Sequence, residues 1–444
     1  MKIISLANHF PSRDPRVVWS SISLSKLGAI TVLGKMEKGY QNDNFSYDNI
    51  DLLLIETSQK LSIANVKRGL SMLMGFSLFS ILISFTFILS IGLFLIIGKL
   101  AYYVRKFPKF RIALKSTWIE RKVLEMYSSA LYLIGFFKYT FEGLHKIREV
   151  DIDKDTKYLV NDLDTLLLSI ILKRKYGGYI VYDMHEFWPY QYKERFDFIY
   201  YYEKFLIKYV DSFITVSTPL LHYIKKEYNI KKEFFMIPNC SPLEINHVSD
   251  PCERLKSNET IFVFQGSFSS ERGLEFMLNC WAEIPNDLNV VLWIRGPFGE
   301  YRDGLITLAK DIGVYNKTVF FKDSVKESDL ILKAKDAHVG VIPYEPVSIN
   351  NKYCCPNKLS QYMQAGLAIL HNDLDFINEM VVKADCGIMY SSKSKESFIN
   401  AVKFLAEDRT RLAEYMRNAQ KFAIEEYSWE KYEHYLYKAL NLPE

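Results

Sequence analysis

The sequence predicts an α/β protein made of two consecutive doubly wound parallel-sheet domains, the first carrying a hydrophobic helical insertion. Three observations predict it. Short apolar runs alternate with stretches of helical period along most of the chain, which specifies parallel strands covered on both faces. The alternation breaks at a polar stretch over 241–258, containing Pro242 and Pro251, and then starts again. The 444 residues exceed what one hydrophobic core commonly supports.

The first strand is expected at 2–7, where an apolar run follows Lys2 and the polar pair Asn8 and His9 ends it. That run is too short for the apolar core of a signal peptide. A helix over about 16–27 leads to strands at 29–33 and 51–56. Residues 69–98 then contain no charged side chain, long enough for one bilayer crossing. Basic residues flank both ends, Lys67 and Arg68 before and Lys99 and Arg105 after, so charge gives no preferred orientation. Strands before and after this run belong to one sheet, so both its ends lie on one side of a membrane. That excludes a single crossing and leaves a re-entrant or interfacial hairpin, placed at about 69–104, with its basic flanks on anionic headgroups. A hairpin packed on the protein itself or on a second chain is the plain alternative.

A basic, helix-patterned region continues to about 149. Strands follow at 157–161 and 179–183 around a helix over 164–176, which Gly177 and Gly178 stop. A strand at 212–216 and a helix over 218–228 complete the first half. In the second half strands are expected at 260–265, 290–295, 319–321, 339–343, 368–370 and 387–390. Helices start near 271, 302, 326, 356 and 375, and three more close the chain over 395–405, 409–426 and 429–440. The domains read as 1–250, 258–426 and a terminal helix over 427–444 that returns to the first. Two such units in tandem place a ligand in the cleft between them, at the carboxyl ends of the strands.

Composition excludes some functions. A net charge of +4 is slight, and no helix-turn-helix, zinc-finger or RNP pattern occurs, so nucleic acid is not an expected partner. The six cysteines form no C-x-x-C pair and no Cys/His cluster, so no metal site or disulfide framework is expected; they read as reduced thiols of a cytoplasmic protein.

Several segments carry chemistry. Residues 264–274, FQGSFSSERGL, read as a strand, a small-residue turn and a helix start, where backbone N–H groups and Arg272 favour an anion. DAHVGVIPY at 336–344 is a strand leading to a loop, and CPNKLSQYMQAG at 355–366 opens a helix. The first half holds NDLDTL at 161–166, YDMHE at 182–186, TVS at 215–217 and IPN at 237–239. With these segments in this order the chain resembles the GT-B glycosyltransferases of the family-4 type, everywhere except about 59–155.

The resemblance implies two Rossmann-like domains facing across a cleft, and retaining transfer of a sugar from a nucleoside-diphosphate-sugar. The nucleotide-sugar is a substrate, and neither a metal nor another cofactor is implied. Arg272 stands where the family has a basic residue on the donor diphosphate, with Lys358 as a second contact and His185 as a contact to the donor sugar or the acceptor. Gly266, Ser267, Pro343, Tyr344, Asn357, Leu359 and Gln361 complete the implied donor site; Arg13, Asp162, Asp183 and Glu186 line the acceptor side. For individual residues plainer roles stay open: a solvated Lys358, a His185 satisfied by backbone, an Asp162 or Asp183 that caps the next helix. Three departures stand out. Ser267 replaces an arginine of many relatives, and Tyr353 and Gln361 replace the family's two glutamates.

The hydrophobic insertion adds a lipid-linked acceptor, such as a polyprenyl-linked saccharide, used at the cytoplasmic face of the membrane by a peripheral or monotopic protein assembling a surface polysaccharide. Two other readings keep the fold: a nucleotide-sugar epimerase without a separate acceptor, and a non-catalytic partner of another transferase.

Overall fold

The computed structural model describes residues 2–37, 48–56, 118–191, 195–244, 250–256, 258–285 and 287–442. The hairpin expected over 69–98 lies outside the described residues. Among the described residues no helix is long and apolar enough to cross a membrane. The chain divides into two compact units. The first comprises Met1–Ile214, Tyr228–Phe235 and Leu436–Glu444; the second comprises Thr215–Glu227 and Met236–Tyr435.

Strands β1 (Ile3–Leu6), β2 (Ile30–Lys35), β3 (Ile50–Ile55), β4 (Lys157–Asn161), β5 (Tyr179–Met184), β6 (Ser212–Thr215) and β7 (Phe234–Met236) form one sheet in the order β3-β2-β1-β4-β5-β6-β7. Its register is parallel, with Ile3 opposite both Ile30 and Lys157. The helices of the first half are α1 (Pro15–Ser25), α2 (Trp118–Lys146), α3 (Leu163–Tyr176), α4 (Asp197–Leu206) and α5 (Thr218–Tyr228). All four residues of β1 are buried, as parallel strands covered on both faces require. Asp14 starts α1 by accepting from the Arg16 amide, and Pro15 supplies the fixed backbone angle of a first turn. Gly177, at φ +87°, ends α3.

The second sheet takes the order β10-β9-β8-β11-β12-β13. Its strands are β8 (Thr260–Gln265), β9 (Val290–Gly296), β10 (Val319–Asp323), β11 (Val339–Ile342), β12 (Ala368–His371) and β13 (Gly387–Met389). Around them lie α6 (Leu274–Trp281), α7 (Glu300–Asp311), α8 (Leu330–Ala334), α9 (Ile349–Lys352), α10 (Asn357–Gln364), α11 (Asp375–Ala384), α12 (Lys395–Glu407) and α13 (Arg409–Glu425), with α14 (Trp429–Ala439) last. Both sheets reverse direction beside their first strand, between β1 and β4 and between β8 and β11. Open α/β sheets bind ligands at such switch points, outside the carboxyl ends of the strands.

Two expected boundaries move for identifiable reasons. The helix expected from 271 starts at Leu274, because a 3-10 turn over Ser270–Arg272 and a left-handed Gly273 come first. A Cβ on Gly273 would lie 2.0 Å from the Pro343 carbonyl oxygen, so only glycine lets the two loops meet. The polar stretch read as a linker is bound into the second unit instead. Arg254 donates to the carbonyls of Pro251, Lys335, Ala337, Ala365 and Gly366, and the Gln364 amide donates to the carbonyls of Ser241 and Pro242.

Candidate functional site

Each unit gathers charged side chains at its own switch point. In the second unit β8 delivers Gly266 and the turn to Arg272, β11 delivers Pro343 and Tyr344, and α10 delivers Lys358. Tyr344 is 5% exposed and serves as a platform. The Arg272 guanidinium lies 3.9 Å from its ring centre and the Lys358 ammonium 4.7 Å, while Lys358 is 3.7 Å from the ring of Phe264. Ring faces attract cations but do not neutralise them. Lys358 is 6% exposed, and neither its Nζ nor the Nε of Arg272 has a hydrogen-bond partner among the described residues. Burial, and then the charge of Arg272, push the Lys358 ammonium well below its usual range.

A buried ammonium held beside a half-buried guanidinium is costly unless an anion completes them. The backbone points the same way. Neither α6 nor α10 has a side chain capping its first turn, so amides of two helix N-termini remain available beside the cations. The position of Gly266 fits this use. Its φ is +136°, and a Cβ there would stand 3.3 Å from the Lys358 ammonium, in the space an anion would use.

The remaining donor-side residues surround this point to different degrees. Ser267 is exposed, Asn357 half-buried at the start of α10, Leu359 wholly buried and Gln361 6% exposed. Tyr353 is held by its backbone, whose carbonyl accepts from the Ser217 hydroxyl at 2.6 Å.

In the first unit the site forms after β1, β4 and β5. His185 is the hub. Its Nδ1 lies 3.2 Å from the Asp14 carboxylate and 3.6 Å from Asp162, and its Nε2 lies 3.4 Å from Asp183. Burial opposes a charge on His185, but Asp162, Asp183 and Asp14 together raise its pKa well above the usual value and so favour the charged ring. In return the imidazolium, against the effect of burial, holds Asp14 down at about 2. Burial pushes Asp162 up to about 8 and Asp164 up to about 6; the Asn8 amide bonded to Asp164 at 2.7 Å moderates the second.

Asp183 is an internal counterion. It is 2% exposed and takes a two-pronged pair from Arg16, at 2.8 and 2.9 Å. Asp162 does not cap α3 with its side chain. It sits at φ +65°, ψ +167°, a conformation nearly reserved for glycine, and accepts from the His185 backbone amide at 3.2 Å. Arg13 is exposed and paired with Glu37 at 3.2 Å, and Glu186 is exposed and bonded by Gln191. Sequence reasoning missed Asp14, Arg16 and Asp164 as members of this cluster. The one available signal was their place after the ends of β1 and β4.

Residues 250–422 match the family model described as glycosyl transferases group 1. No curated protein sequence matches the chain. Solved structures similar to the whole chain include sucrose-phosphate synthase (tll1590) from Thermosynechococcus elongatus, at 12% identity and a TM-score of 0.65 over 99% of this chain and 98% of that one. Anabaena Alr3699/HepE in complex with UDP aligns at 12% identity and 0.66, over 99% and 100%. WaaG, described as a glycosyltransferase involved in lipopolysaccharide biosynthesis, aligns at 13% identity and 0.59, over 99% of each chain. At such identities the likeness speaks to the fold: two parallel α/β sheets in the GT-B arrangement.

Proposed function

We propose that the chain, whose residues 250–422 match the model of glycosyl transferases group 1, moves a sugar, with retention, from a nucleoside-diphosphate-sugar held by the second unit to a lipid-linked saccharide. The observation that carries this reading is the buried Lys358 ammonium, without a hydrogen-bond partner among the described residues, beside the half-buried Arg272 and two uncapped helix N-termini. A diphosphate brings the charge that this pair lacks. As the bond between the anomeric carbon and the phosphate oxygen breaks, negative charge grows on the leaving nucleotide, and preoriented cations and amides stabilise it most in the transition state.

The acceptor hydroxyl forms the new bond to the anomeric carbon, and its proton must go elsewhere. The three carboxylates around His185 favour its charged form and make it a poor base, so the departing phosphate oxygen receives the proton. His185 instead donates, to a hydroxyl of the sugar or the acceptor.

The lipid-linked acceptor and a place at the cytoplasmic face of the membrane rest on the uncharged run at 69–98 and its basic flanks. The involvement of WaaG in lipopolysaccharide biosynthesis favours surface polysaccharide assembly as the setting. UDP is the first nucleotide to try, since a protein of the same fold binds it. The test is a thermal-shift panel of UDP, GDP, CMP and dTDP on the wild type and Arg272→Ala. One nucleotide should stabilise the wild type and not the variant, with turnover falling about 10²-fold or more in the variant. A folded wild type that responds to none of the four would overturn the proposal.

A further inference from the structure

We propose that the outward face of α4 is a docking surface for anionic lipid. The helix is divided sharply by burial. Ile199, Tyr200, Glu203 and Leu206 recur at helical spacing and face the core, whereas Tyr201 and Phe205, four residues apart, are 63% and 55% exposed. Large aromatic rings at such exposure, side by side, are uncommon on a surface that meets only water.

Their neighbours are cationic. Lys204 precedes Phe205 at the edge of this face, its ammonium donating to the Tyr200 hydroxyl at 3.1 Å, and exposed Lys208 continues the face just beyond the helix, its ammonium 5.7 Å from the Phe205 ring. The Lys232 ammonium donates to the Lys208 carbonyl at 3.2 Å, which adds a third lysine. None of the three makes an ion pair among the described residues. Three nearby acids are matched, Glu203 buried and bonded by Tyr182 and Tyr228, Asp197 paired with Arg195 at 2.9 Å, and Asp211 paired with Lys173, while exposed Glu233 follows Lys232.

Exposed aromatic side chains flanked by lysines that outnumber the unmatched acids are the composition that seats at a headgroup boundary, rings at the acyl edge and ammonium groups on phosphate. Lysine is depleted in protein interfaces, which favours lipid over a protein partner. The surface shares with the proposed function the expectation of a membrane, but it stands on residues separate from 69–98.

The test is co-sedimentation of the full chain with vesicles of phosphatidylcholine, alone or with anionic phosphatidylglycerol. Tyr201→Ser with Phe205→Ser, and separately Lys204→Glu with Lys208→Glu, should each weaken binding to anionic vesicles about tenfold or more. Nucleotide-induced thermal shifts should stay unchanged in both, which reports that the fold and the donor site are intact. Wild-type binding that neither variant weakens overturns the proposal, as does a wild type that binds neither vesicle. A variant lacking 69–98 separates the two readings. Residual binding to anionic vesicles that the α4 substitutions then abolish supports this surface even if that run proves not to contact lipid, and residual binding that they leave intact overturns it.

Discussion

Lys358 shows how a single buried side chain couples folding to binding. Its ammonium is removed from water, held beside another cation and given no hydrogen-bond partner, so it is destabilising until a ligand arrives. Lys358→Met keeps the stem and removes the amine. It should raise the melting temperature of the free protein by a few degrees and abolish the nucleotide-induced shift; a melting temperature that falls would contradict the account. A proton linkage follows from the same residue. With its pKa depressed in the fold, the Lys358 ammonium costs the free protein most at low pH, and a bound diphosphate raises that pKa again. Calorimetry in buffers of different ionisation enthalpy should show proton uptake on binding by the wild type and not by Lys358→Met.

At the scale of elements, α4 is joined to the sheet by a buried carboxyl. Glu203 lies between the hydroxyls of Tyr182 on β5 and Tyr228 on α5, at 2.7 and 2.8 Å, and burial pushes it up to about 7 despite both bonds. The sign is set by the raised value. Its contribution is complete below the unfolded value of about 4.5 and fades as pH rises towards about 7, because the unfolded chain releases the proton first. Glu203→Gln keeps the hydrogen bonding and removes the titration. Melting curves from pH 4.5 to 8 should therefore show the wild type losing ground to the variant up to about pH 7 and parallel to it above. Curves parallel throughout would refute this reading.

The whole molecule depends on ties that no local pattern announces. Arg254 directs five hydrogen bonds to backbone carbonyls from the turn before β8, the stretch that composition marks as a linker. Arg254→Met should destabilise the second unit by roughly 3–5 kcal/mol, since several buried carbonyls lose their donors together. Calorimetry should show the transition of the second unit shifted down, with that of the first in place.

The sequence by itself determined the two doubly wound sheets and the strand ends that carry chemistry; Arg272, Lys358 and His185 were singled out through the family resemblance of those segments. It could do so because parallel strands buried on both faces write themselves as apolar runs, and because an anion site needs a small-residue turn next to a cation. Only the tertiary structure decided which charges meet. Asp14 and Asp162 are far apart in the chain, yet both face His185; Asp183, one more aspartate after a strand, is taken by Arg16 from α1. Which carboxylate pairs and which stays available is a matter of distances of a few ångströms between segments that sequence spacing leaves independent, and Coulomb interactions at that range outweigh any local preference.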